Sequence, residues 1–303
     1  MKTAFFQGKF VPFADAKIGI MTHAFNYGTG VFEGVRGYWN PQKKQMFLLK
    51  LKEHFERLQV SALALNIKLK YSLEEMIKIT VELCKRNDYK EDIYIRPLAY
   101  KSEEKIGLGL TGIADDFCMF VAPFGVYLDI SKGIKVCISS WRRIGSQSLP
   151  QGAKITGAYI NSSLAKAEAL EKGFDEAILL APEGTVAEGS GENLFLVKNG
   201  ALITPPLTEI ILPGITRLAL MELAEKELGI ETIERHVKRD ELYSADEIFF
   251  SGTASQVSPI VSVDGKAIND GRIGPVTKKL QDVYFKAVKG DDPKYMDWVT
   301  AVN

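Results

Sequence analysis

Lys154 stands in Gly152-Ala153-Lys154-Ile155-Thr156-Gly157-Ala158-Tyr159, among small residues and just before a run, Ile160 to Leu170, with apolar residues at helical spacing. A lysine in a tight, partly desolvated place can lose its proton and attack a carbonyl carbon. Read alone, it is one surface lysine among many. Four further features carry chemistry that fits it. Pro213-Gly214-Ile215-Thr216 offers unpaired N–H groups and a hydroxyl at a helix start, which suits a phosphate or is an ordinary cap. Ser251-Gly252-Thr253-Ala254 is a second small, hydroxyl-rich turn, able to present N–H groups to an anion or to be a plain loop. Arg57 lies on the polar side of a helix in Glu53-His54-Phe55-Glu56-Arg57-Leu58. Glu188 sits among glycines in Val186-Ala187-Glu188-Gly189-Ser190-Gly191-Glu192-Asn193, where a carboxylate can keep a ring nitrogen protonated. Glu192 competes for that role, and either acid also fits a solvated turn. An amine, two anion-ready turns, an arginine and a carboxylate make up the set that holds pyridoxal phosphate.

The elements that must position these groups divide a chain of 303 residues, longer than one core prefers, so two domains are expected. Residues 1–50 read as strands, with a single alternating strand over Val31–Trp39. Helices follow over Leu51–Leu65 and Ser72–Arg86, the second opened by the capping-box pair Ser72 and Glu75. In the strand Asp92–Leu98, Tyr94 and Arg96 point to the same face. Pro123-Phe124-Gly125 marks a boundary, giving a domain over 1–122, a linker over 123–133 and a second domain over 134–303. The second domain opens with the strand Ile134–Ser140 and an irregular loop, Trp141 to Gly152, that leads into Lys154. It continues with short strands including Thr185–Ala187, a helix from the Pro213-Gly214 turn to Leu228 closed by Gly229, and a final helix from Gly274-Pro275.

Composition narrows the function classes. Apolar residues make up 46% and charged residues 25%, as in a soluble globular protein. Lys+Arg and Asp+Glu balance at 38 each, so no net field favours nucleic acid or an acidic membrane. Cys84, Cys118 and Cys137 are sparse and far apart, which fits a reducing cytoplasm rather than a disulfide scaffold. His23, His54 and His236 are too few and scattered for a metal cluster and read as structural. The first residues do not read as a signal peptide, and no apolar stretch is long enough to span a bilayer.

Seven motifs in order resemble the branched-chain aminotransferases of the fold-type-IV pyridoxal-phosphate family. They are Tyr27-Gly28-Thr29-Gly30-Val31-Phe32-Glu33-Gly34-Val35-Arg36, Glu53-His54 to Arg57-Leu58, Tyr94-Ile95-Arg96-Pro97-Leu98, Lys154 with Gly157 and Tyr159, Glu188 to Phe195, Leu212 to Arg217, and Ser251 to Ala254. The resemblance covers nearly the whole chain. It implies an α/β (α+β) protein with a smaller N-terminal α/β domain and a larger, β-barrel-like C-terminal domain that binds the cofactor. It implies transamination between L-leucine, L-isoleucine or L-valine and 2-oxoglutarate. Lys154 is then the Schiff-base lysine, Glu188 the partner of the pyridine nitrogen and Tyr159 that of the phenolic oxygen. Arg57, Ile215, Thr216 and Thr253 hold the phosphate. Tyr94 with the amides of Thr253 and Ala254 takes the substrate α-carboxylate, supported by Arg36, and Arg96 meets the distal carboxylate of glutamate. Phe32, Tyr159, Phe124 and Tyr127 form the aliphatic pocket, and Gly34 is counted among the substrate-binding positions. Phe124 stands where members often carry tryptophan. Tyr27 and Leu110 come from a neighbouring subunit, so the assembly is at least a dimer, with a hexamer open to it. D-amino-acid or amine transaminases and an aminodeoxychorismate-lyase-like enzyme of the same fold are the rival readings, and a phosphate-binding module without catalysis is the non-enzyme one.

Overall fold

The computed structural model describes residues 2–150 and 152–302. Their contacts divide them into two units that are not single stretches of sequence. The first takes Met1–Gly125, Ala153–Ala158 and Lys286–Asn303, and the second Val126–Gly152 and Tyr159–Phe285. This differs from a single cut at 123–133. The Lys154 segment lies with the first unit because Ile155 makes a bridge to Val31. The chain end lies there because the strand Val299–Ala301 pairs with Gln45–Leu49.

The first unit holds β1 (Thr3–Phe6), β2 (Lys9–Pro12), α1 (His23–Tyr27), β3 (Gly30–Phe32), β4 (Val35–Asn40), β5 (Gln45–Leu49), α2 (Leu51–Ala64), α3 (Leu73–Asn87), β6 (Ile93–Lys101) and β7 (Asp115–Pro123). Its sheet runs from the C-terminal strand through β5, β4, β6, β7 and β1 to β2, with β3 also paired to β6. Two expectations are corrected here. The segment from Ala24 contributes to a short helix, α1, which Gly28 ends in the left-handed conformation at φ 65°. The strand expected over Val31–Trp39 breaks at Glu33-Gly34, where the Glu33 side chain turns inward to meet α2. The capping box at Ser72 and Glu75 is formed. α2 buries Leu51, His54, Phe55, Leu58, Ser61 and Ala62, a stripe at three- and four-residue spacing that carries two polar side chains into the interior.

The second unit holds β8 (Ile134–Arg142), α4 (Tyr159–Glu171), β9 (Glu176–Leu180), β10 (Val186–Gly189), β11 (Asn193–Lys198), β12 (Ala201–Thr204), α5 (Ile215–Leu228), β13 (Thr232–Glu234), β14 (Glu247–Gly252), β15 (Gln256–Val263), β16 (Lys266–Ala267) and the start of α6 (Pro275–Val288). The sheet order is β10-β9-β8-β15-β14-β11-β12-β13, with β16 paired to β15. β8 runs parallel to both β9 and β15, and α4 is the crossover between β8 and β9. The strand expected over Thr185–Ala187 extends to Gly189, so Glu188 lies on a strand and not in a turn. α5 ends on Gly229 in the left-handed conformation, at φ 66°. Among the described residues no helix is long and apolar enough to cross a membrane.

Candidate active site

In the first unit the glycine-rich strand seats the lysine. Gly28 and Gly157 approach so closely that a Cβ on Gly28 would lie 2.7 Å from Gly157 Cα. The Gly157 N–H donates to the Gly28 carbonyl at 3.1 Å, and the Thr156 hydroxyl donates to the same oxygen at 2.7 Å. Lys154 is thereby gripped through its backbone. Its N–H donates to Ser61 Oγ on α2 at 3.0 Å, and its carbonyl accepts from the Phe32 N–H at 3.0 Å. The side chain is half-buried, with Nζ 4.9 Å from the Phe32 ring centroid.

Arg57 is not the exposed helical arginine that its sequence position suggests. Its Nε and Nη2 donate to the two oxygens of Glu33, each at 2.7 Å, while His54 Nδ1 lies 2.7 Å from Glu33 Oε2. Glu33 is fully buried. Burial opposes its charge, but the Arg57 guanidinium and the hydrogen bonds from Arg57 and His54 outweigh that and hold its carboxyl well below the usual range. Burial also pushes His54 down, against the pull of Glu33.

A second set in this unit surrounds Tyr94. The Arg96 guanidinium donates to its hydroxyl at 3.0 Å and lies over the Phe32 ring at 4.6 Å. Tyr94 packs on Phe124 at 5.0 Å between centroids. Arg36, buried, donates to the carbonyls of Phe124 and Gly125 at 3.1 and 2.8 Å. Gly34 is required here, because a Cβ would lie 1.8 Å from Tyr94 Oη. The expected residues Phe32, Gly34, Arg36, Tyr94, Arg96 and Phe124 are thus brought together. Tyr27 lies at the end of α1, its hydroxyl accepting from the Gly107 N–H at 3.2 Å, and Leu110 packs against the core of the same unit.

In the second unit, the buried Glu188 carboxylate accepts from the Arg143 guanidinium through Oε1. Through Oε2 it accepts from Asn193 Nδ2 at 3.0 Å and the Leu212 N–H at 3.1 Å. Glu192 is buried too, but with different neighbours. Burial, reinforced by Glu176, pushes it up to about 8, so it is largely a neutral acid at pH 7. Leu212-Pro213-Gly214 leads into α5, whose N-cap Gly214 supplies no capping side chain, leaving the first-turn amides of Ile215 and Thr216 for another acceptor. Thr253 and Ala254 lie in the turn between β14 and β15, flanked by Ser251 and Ser255, whose buried hydroxyls have no partner among the described residues. Tyr159 is the first residue of α4 and half-buried, while the Tyr127 ring lies 5.5 Å from Lys166 Nζ.

Glu33, His54, Ser61, Arg143 and Asn193 were not marked as site residues by sequence reasoning. The available signal was a charged or amide side chain inside an apolar or glycine-rich strand, as in Phe32-Glu33-Gly34, where burial demands a partner.

The model of the family described as "Amino-transferase class IV" matches residues 30–263. A probable branched-chain-amino-acid aminotransferase of Aquifex aeolicus is 50% identical over 302 residues, spanning 100% of this chain and 97% of that one. The branched-chain-amino-acid aminotransferase of Escherichia coli K12 is 40% identical, with 98% and 96% covered. Among solved structures, the Thermoproteus uzoniensis branched-chain aminotransferase with norvaline superposes with a TM-score of 0.95 at 42% identity, covering 99% of both chains. The branched-chain amino acid aminotransferase of Thermobaculum terrenum in its PLP form gives 0.95 at 37%, covering 100% of this chain and 98% of the other. With a family model matching most of its length and relatives of 40–50% identity spanning nearly all of it, the chain belongs to the class IV aminotransferases.

Proposed function

We infer that the protein transfers the amino group of L-leucine, L-isoleucine or L-valine to 2-oxoglutarate, using pyridoxal phosphate. The observation that carries this reading is the Tyr94–Arg96 pair, 3.0 Å apart beside Phe32, which offers a polar grip next to an apolar surface. Such a pocket takes an aliphatic chain in one half-reaction and a second carboxylate in the other. The cofactor fits the donor set: a half-buried amine, a carboxylate held by three donors, an uncapped helix start, and two buried hydroxyls without a partner among the described residues. When bound, pyridoxal phosphate supplies an aldehyde that carries the amino group and a ring that accepts the electron pair left at the substrate Cα.

In this reading Lys154 supplies the amine that attaches the cofactor, and its Nζ takes the Cα proton of the substrate. Glu188 holds the proton of the ring nitrogen, and Tyr159 bonds the phenolic oxygen. Arg57, Ile215, Thr216 and Thr253 hold the phosphate. Tyr94 and the amides of Thr253 and Ala254 take the α-carboxylate, Arg36 supports Tyr94 through the Phe124 segment, and Arg96 binds the distal carboxylate. Phe32, Gly34, Phe124, Tyr127 and Tyr159 shape the space for the aliphatic chain. A neighbouring copy supplies Tyr27 and Leu110, so the working unit is at least a dimer. Three unpaired thiols suit the reducing cytoplasm. The test is a donor panel with 2-oxoglutarate as acceptor. L-leucine, L-isoleucine and L-valine should react, with D-alanine and simple amines far slower. Preferential turnover of D-alanine or of amines would reject the reading, as would release of pyruvate without any need for 2-oxoglutarate.

A further inference from the structure

Asn193 stands between two groups to which the proposed function gives separate tasks. It opens β11 and is buried. Its Nδ2 donates to Glu188 Oε2 and to the Leu212 carbonyl, each at 3.0 Å. Both partners are pure acceptors, so the amide orientation is forced and both of its hydrogens are used. The Leu212 N–H returns to the same Glu188 oxygen at 3.1 Å. The peptide groups flanking Leu212 are therefore clipped on both sides, the N–H by the carboxylate and the carbonyl by the amide. Two residues later comes Gly214, where a Cβ would lie 1.9 Å from Asn193 Oδ1. The turn before α5 is thus pressed against one side chain, and the helix it opens has no capping side chain of its own.

From this geometry we propose that Asn193 is a positioning residue. It sets the Leu212–Gly214 turn, and with it the N–H groups of Ile215 and Thr216, at a fixed place relative to the Glu188 carboxylate. The ligand dimension so fixed is the span from a ring nitrogen to a phosphate. A short polar side chain that donates twice is needed, because α5 cannot be aimed by a cap of its own. The inference rests on the reading of the α5 start as phosphate-binding.

The test compares two ligands that differ only in the phosphate. Cofactor-free protein is titrated with pyridoxal phosphate and with pyridoxal, each followed by visible absorbance. Asn193→Ala should lower the affinity for pyridoxal phosphate about tenfold more than that for pyridoxal, since a disturbed Glu188 or general damage to the fold acts on both ligands alike. Equal losses on the two ligands, or no loss, would overturn the proposal. Ile215→Pro, at a first helical position that tolerates proline, removes one of the N–H groups at the α5 start and separates the two claims. If it leaves the ratio of affinities unchanged, the phosphate assignment itself fails. If it lowers the ratio and Asn193→Ala does not, only the role of Asn193 fails. Should Asn193→Ala not fold, Asn193→Ser keeps one donor for two acceptors and should give a smaller fall in the same ratio.

Discussion

Replacing Glu33 by glutamine keeps the shape of the side chain and removes its charge. The native carboxylate is fully buried and receives two bonds from Arg57 and one from His54, all at 2.7 Å. Glutamine turns an NH2 group toward one of these donors and leaves the Arg57 charge without its anion. Removing one partner of a buried pair costs about 3–5 kcal/mol. The Arg57 side chain keeps 11% exposure, so water relieves part of the penalty and the lower end, about 3 kcal/mol, applies. For a unit of this size that lowers the melting temperature by about 6–12 °C. The pH dependence has a definite sign. The folded carboxyl is held below its unfolded value, so its contribution is complete above the ordinary glutamate value, about 4.3, and declines as pH falls from there toward the folded value. The gap between wild type and Glu33→Gln should be equal at pH 8 and pH 6 and should shrink in acid. Thermal melts of the cofactor-free proteins, followed by circular dichroism across that range, measure it. A melt within about 2 °C of wild type at pH 7 would refute the reasoning, because a buried ion pair of this geometry cannot be lost so cheaply.

Three more outcomes are expected. Glu188→Gln should still take up the cofactor but slow the proton-transfer step, seen as a lower kcat with L-leucine; unaltered turnover refutes the role given to Glu188. Gly34→Ala should raise the KM for amino donors at least tenfold, because the added Cβ meets Tyr94 Oη at 1.8 Å and must displace it; cofactor absorbance should be unchanged. Glu192→Gln should stabilise the fold relative to wild type by an amount that grows as pH rises from the ordinary glutamate value, about 4.3, and levels off above about 8, because folding of wild type must keep a proton that the unfolded chain has already lost; chemical denaturation at pH 4.5, 7 and 9 tests this, and a difference that does not change with pH refutes it.

Much of the site was legible because it rests on local signals. Lys154 precedes a helix, Ser72 and Glu75 form their box, and Gly214 and Gly229 bracket α5, the latter in the left-handed conformation. The remainder depended on partners distant in sequence. Alternation over Val31–Trp39 concealed the break at Glu33, which exists because α2 brings His54 and Arg57 to that carboxylate. Glu188 and Glu192 have equal standing in a glycine-rich stretch; only Arg143, Asn193 and Leu212 on one, and Glu176 beside the other, tell them apart. The pairing of Val299–Ala301 with β5 joins opposite ends of the chain, a non-local contact that no residue window carries.

The central claim is that one amine, on the segment gripped by Ser61 and Phe32, becomes covalently attached to the cofactor. Borohydride reduction of the loaded protein, followed by proteolysis and mass mapping, tests it most directly. The account predicts that the added mass lies on the peptide containing Lys154, and that Lys154→Ala takes up no label and shows no turnover. Label on another lysine, or none on any, would contradict it.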